Sequence, residues 1–136
     1  MSEENVEIVR GVFEAIDRQH PKAVFAAYDR DVQVDFTESP LGTLMGSAVY
    51  YGHDGIRQWV RDRDEHWEAA EDECQDLIDA GDHVISFVFT RGRGRLSGVE
   101  TELKHYGVWM IRSKKIVRVA WLYSREEALQ AAGLSE

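Results

Sequence analysis

Apolar residues recur along this chain first at helical spacing and then at strand spacing, and the change of period divides it in two. Val6, Val9, Phe13 and Ile16 predict a first helix over about residues 3–19, with glutamates in the first turn where they suit the helix dipole. The residue before a proline resists helical geometry, so His20-Pro21 ends that helix, and Pro21 is well placed to open a second, short one through Tyr28. Asp29-Arg30-Asp31 reads as a turn. Val32-Gln33-Val34-Asp35-Phe36 alternates as a strand until Ser39-Pro40-Leu41-Gly42 breaks it. Residues 37–49 show no period and predict a loop or an irregular crossing over a cavity mouth, a length uncommon unless functional. Gly52-His53-Asp54-Gly55 leads into a third helix with the stripe Ile56, Trp59, Val60 and Trp67.

Strand patterns follow over 74–80, 83–91, 101–111 and 115–123. Ala80-Gly81-Asp82, residues 93–98 and Arg112-Ser113-Lys114 form the turns between them. An alanine-rich helix from Arg125 stops at Gly133. Helices first and then a consecutive antiparallel meander is an α+β layout in which the sheet curls around the helices. With 136 residues and no linker or repeat, the whole chain, 1–136, is expected to be one domain.

Composition narrows the picture further. A hydrophobic share of 43% with 10% aromatics is that of a globular protein. No apolar run approaches a membrane span, and the acidic start is unlike a signal peptide, so a cytoplasmic protein without a membrane partner is expected. The single Cys74 reads as a small, at least half-buried thiol. The net charge of −9 opposes nucleic-acid binding. Eight Lys or Arg lie between Arg91 and Arg118 against only Glu100 and Glu102, a strip that would attract an anion unless it is the solvated face of a sheet.

Several stretches carry a resemblance. They are Glu4-Asn5-Val6-Glu7-Ile8-Val9-Arg10, Tyr28-Asp29-Arg30-Asp31-Val32, Tyr51-Gly52-His53-Asp54-Gly55-Ile56, Ile78-Asp79-Ala80-Gly81-Asp82, and the closing Lys115-Ile116-Val117-Arg118 with Ala128-Leu129-Gln130-Ala131-Ala132-Gly133-Leu134. In this order they resemble the small SnoaL-like proteins of actinobacterial type within the nuclear transport factor 2-like, or ketosteroid isomerase-like, superfamily. The resemblance implies a cone-shaped barrel of curved antiparallel sheet wrapped around three N-terminal helices, with a pocket inside, and by family habit a homodimer. Relatives include ketosteroid isomerases, polyketide cyclases, dehydratases, epoxide hydrolases and proteins without a reaction, so the fold alone names no activity. The isomerase mechanism needs a carboxylate base, a tyrosine and a protonated aspartate. The corresponding positions hold Phe36, Phe13 and Gly107, and a cyclase-type aspartate would also fall at Gly107, which argues against both mechanisms.

Candidate chemistry comes from strand alternation. If Glu102 and Lys104 face solvent, then Leu103, His105, Gly107, Trp109 and Ile111 face inward, which makes His105 the leading acid or base. The alternative is a buried histidine bonded to a backbone or tyrosine partner. Asp35 is the one carboxylate well within the first strand, but it neighbours inward Phe36 and reaches the interior only through a bulge. Glu38 could reach back from the loop, while His53 and Asp54 suit the start of the third helix. Phe13, Tyr28, Phe36, Trp59, Trp109, Trp121 and Tyr123 are assigned to the interior, as core packing or as the wall of an apolar pocket. The five histidines supply no pair at metal-ligand spacing, and Arg91-Gly92-Arg93-Gly94-Arg95 lacks the helix that a phosphate cradle needs, so no metal or other cofactor is expected. Two functions stay open: a protein binding an apolar small molecule, with acid–base catalysis of isomerase, cyclase or hydratase type by His105 aided by Asp35 or a tyrosine, or a non-catalytic homodimer. An outward face of Tyr106, Val108, Met110 and Leu122 favours the dimer.

Overall fold

The computed structural model describes residues 2–39 and 48–134, apart from the side chain of Ser2. Helix α1 (Ser2–Asp17) puts Val9 and Val12 into the core, with Phe13 half-buried beside them. It ends where Gln19 turns to a positive φ of 56°, and Pro21 then opens α2 (Pro21–Ala27). Strand β1 (Tyr28–Asp35) starts directly from α2, so Tyr28 is a strand residue, and Asp29-Arg30-Asp31, expected as a turn, lies within the strand. The turn signal was local. The β1 ladder is irregular between Tyr28 and Gln33, which accommodates these polar residues in extended backbone.

Strand β2 (Val49–Tyr51) pairs with β1 and takes in Val49, the last residue of the segment expected as loop. The expected crossing over the cavity mouth falls mainly on residues 40–47, outside the described residues. Helix α3 (Gly52–His66) starts at Gly52, whose φ of +67° and nearby Arg30 carbonyl, 3.0 Å from where a Cβ would stand, both favour glycine. Trp67, expected in this helix, is instead the first residue of β3 (Trp67–Ala80), a strand seven residues longer at its start than the pattern indicated. Its acidic first half alternates weakly in hydrophobicity because its partner, β4 (His83–Gly94), presents arginines to it. The sheet is completed by β5 (Glu100–Arg112) and β6 (Lys115–Leu122).

The six strands run in the order β2-β1-β6-β5-β4-β3. Every neighbouring pair is antiparallel except β1 with β6, which is parallel, so the sheet is mixed and remains open. Its concave face packs on α1, α2 and α3, and Val32, Val34, Phe36, Trp109, Ile116 and Val119 fill that core. A bulge at Val117 resets the alternation of β6, which is why Ile116 and Val119 share the inner face.

Helix α4 (Arg125–Ala131) closes the other side. Ser124 Oγ accepts from Glu127 N at 3.1 Å, and the helix ends in paired bonds from Gly133 and Leu134 back to Gln130 and Leu129, with Gly133 at φ +79°. Ala128, Leu129 and Ala132 thereby cover Val108 and Leu122 of the outer face. The apolar outer strip expected to favour a dimer is thus partly satisfied within the chain. Arg91 pairs with Glu73 and Glu102, and Arg93 with Glu100, so the part of the basic strip that lies on β4 is neutralised across the strands. Among the described residues no helix is long and apolar enough to cross a membrane.

Candidate functional site

Between the concave face and the helices lies a cavity of about 500 Å³. The wall on the sheet side is made by Val34, Phe36, Asp72, His105, Trp109, Val119 and Trp121, and on the helix side by Phe13, Phe25, Ile56, Trp59 and Arg63. Exposed Ile16, His20, Val60 and Asp64 also line it, which places its mouth between the α1–α2 corner and the middle of α3.

Aromatic rings organise the wall. Phe36 lies nearly parallel to Trp59 (10°) and to Trp121 (6°), with centroids 6.1 and 6.3 Å away. The His105 ring continues the series, 4.5 Å from Trp121 and tilted by 25°. Trp109 meets Trp121 and Phe13 edge-on, and its Nε1 donates to Ser86 Oγ at 2.9 Å. Of the seven aromatics assigned to the interior, six line the cavity. Tyr123 does not: it is 59% exposed, because β6 ends at Leu122 and strand alternation no longer governs the next residue.

His105 is only 3% exposed, with its ring on the cavity wall. Thr90 Oγ1 lies 2.8 Å from His105 Nε2 and donates to Asp72 Oδ1 at 2.7 Å, while Arg63 Nη1 holds Asp72 Oδ2 at 2.7 Å. One hydroxyl has one proton. Since Thr90 gives its proton to a carboxylate that can only accept, the 2.8 Å contact is satisfied by an N–H on Nε2. Nδ1 then carries the lone pair, and it is buried without a hydrogen-bond partner among the described residues, as is Trp59 Nε1. Burial lowers the imidazole pKa to about 4; Asp72 opposes the shift and Arg63 adds to it, so the ring is neutral at pH 7. Burial, with the Asp72 charge adding to it, pushes the Tyr28 phenol well above its ordinary range.

The other candidates stand apart. Asp35 lies on the opposite face of β1, where its carboxylate accepts from Thr37 N at 2.8 Å and from Arg118 Nη2 at 3.0 Å. Burial would raise its pKa, but these partners outweigh burial and hold it below the usual value. No bulge rotates it inward, so the structure brings His105 together with Asp72 and not with Asp35. Glu38 is exposed and does not line the cavity. His53 contacts the Tyr28 carbonyl through Nε2 at 3.0 Å, and Asp54 pairs with Arg57 at 2.7 Å, both at the start of α3. Gly107 has no room for the missing aspartate: a Cβ there would stand 2.8 Å from Ser86 Oγ, 2.8 Å from Trp109 Nε1 and 3.0 Å from Trp121.

Asp72, Thr90 and Arg63 are the residues that the sequence reading missed. Thr90 follows Val84, Ser86 and Val88 on the inner alternation of β4 and stands opposite Leu103, one inward step from His105. Asp72 stands opposite Thr90 on β3.

An open curved sheet folded over three helices around an aromatic cavity defines an α+β protein of the nuclear transport factor 2-like class. The SnoaL-like domain model matches residues 9–119, and the chain belongs to that family. No curated protein matches it. Among solved structures it is similar to a nuclear transport factor 2-like protein of unknown function from Burkholderia pseudomallei, with 21% identity, a TM-score of 0.77, and 93% of this chain and 95% of that one covered. A nuclear transport factor 2-like protein from Burkholderia thailandensis shares 25% identity at a TM-score of 0.76 over 96% and 97%. TerC, co-crystallised with polyporic acid, shares 16% at a TM-score of 0.76 over 96% and 98%.

Proposed function

We propose that this SnoaL-like chain binds an apolar small molecule in its aromatic cavity and that His105 performs acid–base chemistry of isomerase, cyclase or hydratase type on it. The observation that supports this reading is a neutral imidazole on the wall of an apolar cavity with one nitrogen unpartnered. A buried polar atom without a partner costs about 1–3 kcal/mol, a cost that native cores mostly avoid. Asp35 has no part in this chemistry, since its carboxylate is committed to Thr37 and Arg118. A tyrosine partner remains available in Tyr28, whose phenol stays protonated at neutral pH and can donate but not accept a proton as a base. The co-crystal of a structurally similar protein with polyporic acid is in keeping with a small-molecule occupant.

The test is turnover and binding of apolar carbonyl compounds by the wild type and His105→Ala. Turnover lost with binding and fold retained supports the reading, and unchanged turnover removes His105 from the mechanism.

A second reading, a non-catalytic homodimer, is favoured by the outer face of β4 and β5. There Phe87 stacks on Tyr106 at 4.8 Å and meets Phe89 edge-on at 5.1 Å, all three partly exposed. Sedimentation decides it: a stable monomer at micromolar concentration would remove the dimer.

A further inference from the structure

We propose that Thr90 and Asp72, braced by Arg63, are positioning residues that lock His105 in the Nε2–H tautomer, so that the cavity selects uncharged apolar molecules offering a polarised O–H or acidic C–H to Nδ1. This rests on the pocket reading above and deepens it. The chain of contacts is continuous: guanidinium to carboxylate at 2.7 Å, hydroxyl to carboxylate at 2.7 Å, and imidazole to hydroxyl at 2.8 Å. Each member comes from a different element, α3, β3, β4 and β5, so the tautomer is fixed by the fold and not by a flexible neighbour.

The arrangement also sets the ligand's charge. Arg63 and Asp72 are 16% and 13% exposed and neutralise one another, so neither is a free counter-charge for a ligand ion beside His105. Burying an unpaired ion against apolar rings is costly, whereas a neutral donor would satisfy the lone pair, which is buried without a partner among the described residues. If Nδ1 takes the proton, the bonding electrons stay on the ligand oxygen or carbon. The imidazolium keeps its Nε2–H on Thr90, one hydroxyl from the Asp72 carboxylate.

The tautomer can be read without any ligand, from long-range proton–nitrogen correlation spectra of the His105 ring at neutral pH. The wild type should show a single Nε2–H form, Thr90→Val a mixture of tautomers, and Thr90→Ser the wild-type form restored. An Nδ1–H form or a mixture in the wild type overturns the proposal even if Thr90→Val does not fold, and an unchanged tautomer in Thr90→Val removes Thr90 from the role.

Ligand class is tested with β-naphthol against its methyl ether, two flat apolar probes differing in the hydroxyl proton. The wild type should prefer the naphthol by about tenfold, the worth of one well-made buried hydrogen bond, and Thr90→Val should weaken that preference in proportion to the Nε2–H form it loses. Equal affinities overturn the ligand class. Failure of both probes to bind sinks the pocket reading together with the ligand class, while the tautomer stands or falls on its own spectra.

Discussion

At position 107 the missing side chain lets two tryptophans close over the inner face of the sheet. A Cβ there would press on Ser86 Oγ and Trp109 Nε1, the two ends of a buried hydrogen bond, and on the edge of Trp121. Gly107→Ala should therefore destabilise the fold by about 1–3 kcal/mol, the usual cost of overpacking a well-filled core. Urea denaturation measures it, and an unchanged midpoint would mean that the rings have slack. The same crowding explains why an aspartate cannot stand at this position. Cys74 shows the opposite outcome of burial. Its thiol pKa is pushed up to about 11, chiefly by burial, so at pH 8 only about one thiol in a thousand is ionised. Alkylation by iodoacetamide should be far slower than for a free cysteine, and labelling at the free rate would contradict this environment.

At the scale of elements, α4 shows how much a short helix depends on its ends. Seven residues are too few to hold a helix by propensity, so the Ser124 cap, the terminal Gly133 turn and the contact of Ala128 and Leu129 with the sheet supply its stability. Ser124→Ala should cost about 1 kcal/mol and increase dye binding to the uncovered Val108–Leu122 strip; equal stability and dye binding would show that packing alone holds the helix. This helix and the β5 alternation were legible in the sequence because each is set by neighbours close along the chain. The alanine-rich run and its stop at Gly133 announce α4, while Glu102 and Lys104 fix the inward side of β5. The relay behind His105 was not legible, because it needs the β3–β4 register across strands. Asp72 sits in an acidic run whose strand pattern starts only near Cys74, and a bulge between Cys74 and Asp76 shifts the alternation by one. Val117 does the same in β6, and Tyr123 was assigned inward because the strand was carried one residue too far. Bulges and strand ends are decided by pairing partners, which a single strand's pattern does not contain.

For the molecule as a whole, the buried imidazole ties stability to pH. In the fold His105 has a pKa of about 4 against an ordinary 6.5, so between these values the unfolded chain binds a proton that the native protein does not. Stability then rises with pH across that window: the contribution is fully present above the unfolded value and is lost as pH falls through about 4. The full shift corresponds to about 3 kcal/mol, a sizeable share of the total for a domain of this size. The charged groups facing the ring are Asp72 from β3, which favours the protonated form, and Arg63 from α3, which disfavours it; their pairing leaves burial as the dominant cause. Asp35 also loses native stabilisation in acid, since its lowered pKa means that protonation breaks bonds to Thr37 and Arg118, but this begins only near ordinary carboxylate values. Comparing wild type with His105→Gln separates the two effects, because glutamine does not titrate and leaves Asp35 untouched. Urea midpoints of the wild type should fall steadily from neutral pH into moderate acid, while those of the variant stay flat until the carboxylates titrate. Parallel curves would show that His105 takes up its proton as easily in the fold as in the unfolded chain, and the neutral, desolvated base required by the pocket chemistry would be lost with it.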